Sequence, residues 1–165
     1  MFSLVDIKLV NKVSDELKKH RVTIATAESC TGGLLAHMLT NVSGSSDYFD
    51  SGVISYSNTA KTQLLGVSEE LLKKHGSVSQ EVAIAMANAV RQRAHVTYGL
   101  ATTGIAGPTG GTKEKPVGLV YIALSTKTTD VVKRYFFSGD RLTNKESSCN
   151  AALELLLETI SPKKS

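Results

Sequence analysis

Strand-like and helix-like segments alternate along this chain, and this alternation is what most constrains its fold. Short apolar runs rich in β-branched and aromatic residues predict strands, and segments with apolar residues at helical spacing separate most of them. The predicted order is α-β-α-β-α-α-α-β-β-β-α. Strands interleaved with helices pack as a sheet that helices cover on both faces. The order therefore predicts an α/β fold, built as a three-layer α/β/α sandwich.

The last two predicted strands make the sheet a mixed one. The segments PVGLVYIALST and DVVKRYFFSG are separated only by the residues around KTT, and so short a link joins antiparallel neighbours. We therefore expect a mixed sheet of about five strands. Helical spacing and cap signals predict helices at residues 6–20, 31–41, 58–65 and 79–96, a helix capped by Ser68, and a last helix that begins with a capping box of Thr143 and Glu146.

The length of 165 residues suits one domain over residues 1–165, with residues 161–165 as a short tail. No apolar run approaches the roughly 20 residues that a membrane span needs. The first residues, MFSLVDIKLVNK, carry charges that interrupt the apolar pattern of a signal peptide. We therefore expect a cytoplasmic protein that has no membrane partner.

Charge and cysteine usage narrow the class of ligand. The net charge of +4 and the pI of about 9.1 are compatible with an anionic ligand. The lysines are scattered and aromatic residues are few, which disfavours a nucleic-acid partner. Two cysteines, Cys30 and Cys149, support neither a disulfide framework nor a cysteine-rich metal site. The four histidines lack metal-ligand spacing, so we expect neither a metal nor another cofactor.

Ligands of α/β folds bind at the carboxyl ends of parallel strands, and the first of these ends carries ATAESCTGG. Ser29 lies there at a strand-to-helix turn, before Thr31, Gly32 and Gly33. The glycines allow close backbone approach, and the free amides of a helix start can bind a phosphate or a developing oxyanion. Ser29 is therefore a candidate nucleophile. Helix capping by Ser29 or Thr31 would explain the same residues without catalysis.

The second strand end carries VISYSNTAK, in which Tyr56 ends the strand and Lys61 lies about one turn into the next helix. A lysine can serve a serine as general base only when it is neutral, which requires burial or a cationic neighbour. Tyr56 could relay a proton or orient the lysine. The alternative is a surface lysine beside a half-buried tyrosine.

The third strand end is the glycine-rich segment TTGIAGPTGGTKEKPVG. Five glycines lie in the interval from Gly104 to Gly118, and a loop this long is unusual for a plain hairpin. Its backbone amides could hold an anion, with Thr103 and Thr109 adding hydroxyls and Lys113 and Lys115 adding charge. A surface loop without a ligand is the alternative.

Arg141 follows Gly139 in FSGDR, where a strand meets the last helix. A guanidinium group suits bidentate binding of phosphate or carboxylate. Pairing of Arg141 with Asp140 or another surface acid is the alternative.

Five strings, TAESCTGG, SGVISYSNTAKTQLLGV, TTGIAGPTGG, KPVGLVYIA and FSGDR, occur in this order over roughly residues 8–160. Together they resemble the CinA C-terminal domain family, whose characterised members are nicotinamide mononucleotide deamidases. The resemblance covers essentially the whole chain. It implies the stand-alone form, since 165 residues leave no room for the other domain of longer CinA proteins.

The resemblance implies an α/β/α homodimer that hydrolyses nicotinamide mononucleotide to nicotinate mononucleotide and ammonia in pyridine nucleotide salvage. It also implies a serine mechanism without metal or cofactor. By this resemblance Ser29 is the nucleophile, and Tyr56 and Lys61 handle the proton. By the same resemblance, the TTGIAGP loop contributes Thr103, Gly104 and Gly107 as substrate or oxyanion contacts. The arginine of GDR is Arg141, a candidate to bind the phosphate of the substrate.

Three alternatives remain open from the sequence. The chain could be a serine amidase for another nucleotide amide, or a non-catalytic nucleotide-binding module linked to competence or a DNA-damage response. Cys30 could replace Ser29 as nucleophile if a helix N-terminus lowers its pKa. The enzymatic interpretation requires Ser29 and an uncharged Lys61 to share one dry cavity.

Overall fold

We describe the fold from a computed structural model, in which residues 6–161 are placed well enough to describe. Within that range the helices are α1 Ile7–His20, α2 Leu34–Thr40, α3 Asn58–Leu65, α4 Glu69–His75, α5 Gln80–Ala94 and α6 Arg141–Ile160, and Ser45–Asp47 forms a short 3₁₀ helix. The strands are β1 Ile24–Glu28, β2 Phe49–Ile54, β3 Tyr98–Gly104, β4 Leu119–Ser125 and β5 Asp130–Phe136. No helix of residues 6–161 has the length and apolar character needed to cross a membrane.

The five strands form one mixed sheet in the order β2-β1-β3-β4-β5. Strand β1 pairs in parallel with β2 and β3, whereas β4 pairs antiparallel with β3 and β5. This topology confirms the predicted α/β class and the mixed five-stranded sheet. Because β1, β2 and β3 run in the same direction, their carboxyl ends meet at one edge of the sheet.

Two separate cores lie on the two faces of the sheet. Helices α1, α2 and α6 cover one face, where Leu17, Leu35 and Leu153 are fully buried. Helices α3, α4 and α5 cover the other face, where Met86 and Val82 are fully buried. All five residues of β1 are buried, because this strand has a neighbouring strand on each side and helices on each face. The residues that follow β1 are therefore held by the centre of the domain.

Two predicted helix starts were wrong. Helix α2 begins at Leu34 rather than at residue 31, because Gly32 and Gly33 adopt positive φ angles of 61° and 98° that a right-handed helix does not contain. Helix α6 is capped by Asp140, whose carboxylate accepts the Thr143 amide at 2.8 Å. Thr143 therefore lies inside the first turn and cannot open the predicted capping box. Residues 162–165 of the predicted tail lie outside the described range.

Candidate active site

The carboxyl ends of β1 and β2 bring a serine and a lysine into contact. Ser29 directly follows β1, and Lys61 lies in the first turns of α3, which follows β2. The Lys61 Nζ and Ser29 Oγ atoms are 3.0 Å apart. Ser29 is 7% exposed and Lys61 only 1% exposed. This is the shared, water-poor position that the enzymatic interpretation of the sequence requires.

The surroundings of Lys61 disfavour its charged form. Its Nζ lies 2.9 Å from the Ser55 carbonyl oxygen and 3.4 Å from the Tyr56 carbonyl oxygen. Within residues 6–161, no carboxylate forms an ion pair with it. Desolvation by burial lowers the pKa of Lys61, against a smaller opposing influence of the Cys30 thiol.

The three contacts of Lys61 can be made by an ammonium, with all three as donor bonds, or by a neutral amine. A neutral amine has two N–H bonds and one lone pair. The two N–H bonds can donate to the carbonyls of Ser55 and Tyr56, which leaves the lone pair to accept the Ser29 hydroxyl proton. This is the arrangement that a general base for Ser29 would need.

Tyr56 and Arg141 meet at the mouth of the site rather than at its base. The Tyr56 phenol is exposed and accepts a hydrogen bond from Arg141 Nη2 at 2.7 Å. Arg141 Nη1 donates to the Gly107 carbonyl at 2.7 Å. Arg141 thus joins the loop after β3 to the short segment between β2 and α3. Within the described range the Tyr56 phenol makes no hydrogen bond to Ser29 or Lys61, so only its carbonyl touches the lysine.

These residues line a cleft of about 410 Å³. Its walls come from the turn after β1, the start of α3, the α4–α5 turn, the loop after β3 and the start of α6. The lining includes Ser29, Cys30, Tyr56, Lys61, Ser77, Thr103, Gly104, Ala106, Gly107, Thr109, Gly110, Lys115 and Arg141. Among residues 6–161, no aspartate or glutamate lines it. With Lys115 and Arg141 in its walls, the cleft favours an anionic ligand.

The loop after β3 offers backbone donors to this cleft. The amides of Ala106, Gly107, Thr109 and Gly110 have no hydrogen-bond acceptor within residues 6–161. The Thr103 hydroxyl, by contrast, donates its proton to the Ser77 carbonyl at 2.7 Å. The side chain of Thr103 therefore fixes the α4–α5 turn against β3, and the loop amides are the donors left for a ligand.

Most amides at the start of α2 are used within the chain, which weighs against the prediction that Gly32 and Gly33 bind substrate through them, and the Thr31 hydroxyl is used in the same way. The Glu28 carboxylate accepts the Thr31 hydroxyl and the amides of Gly33, Leu35 and Ala36, at 2.6, 3.0, 3.1 and 2.8 Å. The Gly32 amide donates to the Ser29 carbonyl. An internal carboxylate thus takes the place that the sequence analysis assigned to a phosphate or oxyanion. Thr31, Gly32 and Gly33 line a different surface pocket beside Lys145.

The geometry disfavours Cys30 as nucleophile. Its side chain is 5% exposed, and burial raises the pKa of its thiol to about 12. The thiolate, not the thiol, attacks carbonyl groups, and almost none is present at neutral pH. The predicted effect of the helix N-terminus is absent because the Glu28 carboxylate occupies that terminus.

Glu28 and Ser77 were not assigned roles from the sequence. A carboxylate shortly before two glycines and a short helix is a signal for Glu28, because acids stabilise helix starts. Ser77 gave no comparable signal, since only the folded chain brings the α4–α5 turn to the cleft. No group of three or more His, Cys, Asp or Glu side chains in residues 6–161 is arranged to hold a metal ion.

We expect Glu28→Ala to lower the free energy of unfolding by about 3 kcal/mol, because it removes the acceptor of one buried and two part-buried amides and one of the two partners of the buried Thr31 hydroxyl. Urea denaturation followed by circular dichroism measures the change. Glu28→Gln should cost less, since one carboxamide oxygen still accepts. Glu154→Gln on the exposed face of α6 is the matched control and should change stability by less than about 0.5 kcal/mol. Equal stability of Glu28→Ala and the native chain would contradict the role given to this carboxylate.

Comparison with known sequences places the whole described domain in one family. The sequence model of the CinA C-terminal domain matches residues 6–160. A CinA-like protein of Salinibacter ruber is 47% identical over 156 residues, which are 94% of this chain and 38% of that protein. A CinA-like protein of Syntrophus aciditrophicus is 48% identical over 157 residues, covering 94% of this chain and 37% of that protein. The chain thus spans less than two-fifths of the length of these curated relatives.

Solved structures agree with the sequence comparison. The competence/damage inducible protein CihA of Agrobacterium tumefaciens is 36% identical, with a TM-score of 0.90 over 94% of this chain and 97% of that one. The competence damage-inducible protein A (ComA) of Klebsiella pneumoniae is 32% identical, with a TM-score of 0.91 over 96% of this chain and 98% of that one. Sequence, fold and the order of the motifs around Ser29 and Lys61 lead to one conclusion: the chain belongs to the CinA C-terminal domain family.

Proposed function

We propose that this domain is a serine amidase that hydrolyses nicotinamide mononucleotide to nicotinate mononucleotide and ammonia. The observation that carries the proposal is the 3.0 Å contact between the buried Lys61 amine and the Ser29 hydroxyl. A nucleophile beside a base that burial keeps neutral is what acyl transfer requires. The resemblance of the five sequence motifs to the deamidases supplies the substrate.

In the first half of the reaction, Ser29 Oγ attacks the carboxamide carbon while Lys61 Nζ takes the hydroxyl proton. The carbonyl oxygen becomes an oxyanion, which we assign to the unpaired amides of the loop after β3, near Ala106 and Gly107. Lys61 then gives the proton to the amide nitrogen, so that ammonia leaves and an ester remains on Ser29.

In the second half, water replaces ammonia. Lys61 takes a proton from the water, whose oxygen attacks the ester carbon and forms a second tetrahedral intermediate. The Ser29 oxygen leaves and recovers the proton from Lys61. The products are nicotinate mononucleotide and the free serine, and Lys61 returns to its neutral form.

The remaining site residues bind and orient the substrate in this proposal. Gly104 and Gly107 form the backbone wall beside the loop donors, and Thr103 holds the α4–α5 turn in place. Tyr56 orients Lys61 through its carbonyl, and Arg141 joins the Tyr56 phenol to the loop. A homodimer in the cytoplasm, working without a metal or cofactor, belongs to the same proposal, and light scattering tests the dimer.

One observation weighs against the non-catalytic alternative. Burying a lysine without an acidic partner is costly, and a module that only binds nucleotides would gain nothing from placing Lys61 against Ser29. A serine amidase for another nucleotide amide would use the same groups. Its substrate would differ only in the part that the outer cleft recognises.

The test is an assay of ammonia release from a panel of amides that includes nicotinamide mononucleotide, nicotinamide riboside and free nicotinamide. We expect nicotinamide mononucleotide to have the highest kcat/KM and to yield the acid, identified by mass. A faster reaction with a different nucleotide amide would replace the substrate in this proposal. Absence of turnover across the panel, with a folded protein, would exclude the proposed function.

A further inference from the structure

A cationic side chain of the outer cleft has donors that the fold does not use. The half-buried Lys115 donates to the His75 carbonyl, with 2.6 Å between Nζ and the oxygen. A Cβ added to Gly76 would lie 2.8 Å from the same Nζ, so the ammonium rests directly against the α4–α5 turn. An ammonium group has three N–H donors, and two of those on Lys115 make no hydrogen bond to the protein within residues 6–161.

Other unused donors line the cleft with Lys115. The hydroxyls of Ser77 and Thr109 make no hydrogen bond within the described range, and the Gly110 amide has no acceptor there. Gly110 adopts a φ of 90°, a conformation typical of loops whose amides converge on an anion. Lys115, Ser77, Thr109 and Gly110 come from two separate segments of the chain, the α4–α5 turn and the loop after β3. We call them the outer donor cluster.

Glu81, an acid that interacts electrostatically with Lys115, does not neutralise it by direct pairing. Glu81, on α5, forms an ion pair of 3.4 Å with His75 Nδ1 and none with Lys115 within 4.0 Å. The pKa of Glu81 is lowered chiefly by a hydrogen bond from its own amide, with smaller contributions from Gln80, His75 and Lys115. Glu81 does not line the cleft. A ligand in the cleft therefore meets the ammonium before it meets this carboxylate.

Arg141, the arginine that the sequence analysis assigned to the phosphate, is already engaged. Both of its terminal nitrogens make 2.7 Å hydrogen bonds, to the Gly107 carbonyl and the Tyr56 phenol. These bonds use two of the five N–H donors of the guanidinium and hold its plane between the Gly107 carbonyl and the Tyr56 phenol. Arg141 is thus better suited to position Tyr56 and the loop. The outer donor cluster, by contrast, offers N–H and O–H groups that make no hydrogen bond to the protein within residues 6–161.

We propose that the outer donor cluster binds the phosphate of the substrate and that Lys115 discriminates nucleotide amides from unphosphorylated riboside amides. This inference rests on the proposed amidase function and names the group that sets its substrate class. The carboxamide lies at Ser29 and the phosphate at Lys115, within the single cleft that both residues line. Arg141 then acts as a positioning residue.

The test compares kcat/KM for nicotinamide mononucleotide with kcat/KM for nicotinamide riboside in Lys115→Met. We expect the ratio of kcat/KM for the nucleotide to kcat/KM for the riboside to decrease by a factor of about 10 to 100. The decrease should come mainly from a higher KM for the nucleotide, because a charge-assisted contact is lost. Lys115→Arg should restore part of the ratio. Lys113→Met is the matched control, since Lys113 is exposed in the same loop and does not line the cleft, and it should leave the ratio unchanged.

A second measurement does not depend on turnover. Calorimetry with ribose 5-phosphate should show binding to the native chain that Lys115→Met weakens at least about tenfold and Lys113→Met does not. Binding of ribose 5-phosphate that depends on Lys115, without amide hydrolysis, would support the phosphate site and contradict the proposed amidase function. If Lys115→Met hydrolyses amides with an unchanged ratio of the two kcat/KM values, or loses kcat/KM equally for both substrates, the role proposed for Lys115 is contradicted. The proposed amidase function would still stand.

Discussion

Ser29→Ala is expected to reduce kcat for nicotinamide mononucleotide by roughly 10⁴- to 10⁶-fold, the range seen when the nucleophile of a serine hydrolase is removed. The physical reason is that no other side chain can form the acyl intermediate. The Cys30 thiol is buried, with its pKa raised to about 12, and Lys61 would have to leave its carbonyl partners to attack. Ammonia release measured with a coupled assay follows the loss.

Cys30→Ala is the matched control for this prediction, because Cys30 neighbours Ser29 in the same turn and lines the same cleft. We expect it to retain kcat within about tenfold, with a stability cost from the small cavity that it leaves. Mass spectrometry of the native protein mixed with substrate should find the acyl adduct on the peptide containing Ser29. Undiminished turnover by Ser29→Ala would exclude the covalent mechanism, and an adduct on Cys30 would reassign it.

Lys61→Met and Lys61→Arg should each reduce kcat by at least about 10³-fold, the upper part of the range for a general base and nucleophile activator. Methionine has no basic nitrogen, and arginine is permanently protonated. The pair separates two roles of the side chain: if Lys61 supplied only positive charge, arginine would keep much of the activity.

For the native protein, kcat/KM should rise with pH through the lowered pKa of Lys61, below the ordinary value of 10.5.

The lowered pKa of Lys61 also makes folding stability depend on pH. Between that pKa and 10.5 the unfolded chain binds more protons at this lysine than the folded chain does, so the free energy of unfolding rises with pH. Each unit of depression corresponds to about 1.4 kcal/mol. We expect urea denaturation to show the native protein gaining stability relative to Lys61→Met as pH rises through this interval. A constant difference between the two proteins would mean that Lys61 is not desolvated in solution.

The layered fold followed from the sequence because hydrophobic periodicity is a local signal. Alternating strands and helices predicted the sandwich, and the short link around KTT predicted that β4 and β5 pair antiparallel. The sequence also indicated that Ser29 and Lys61 follow strands of one parallel set. Their 3.0 Å separation could not be predicted, because it depends on how α3 packs against the sheet.

The differences between prediction and structure at the starts of α2 and α6 have a common physical cause. Amides at a helix start are open to any nearby anion, and sequence alone does not show whether a ligand or the chain itself supplies it. At α2 the chain supplies Glu28, which accepts the amides of Gly33 and Ala36. At α6 the patterns for an Asp140 cap and for a Thr143 capping box overlap, and only one of them can start the helix.

The contact between the first and third strands sets the order in which the site can assemble. The Ser29 amide donates to the Thr102 carbonyl at 3.0 Å, and the hydroxyls of Thr31 and Thr102, 71 positions apart in the chain, lie 2.7 Å from each other. Such distant pairings form late, after a large loop has closed. On the ribosome the N-terminal third of the domain therefore emerges before the turn that carries Ser29 can be fixed, and that turn takes its folded position only once β3 has been synthesised and inserted beside β1.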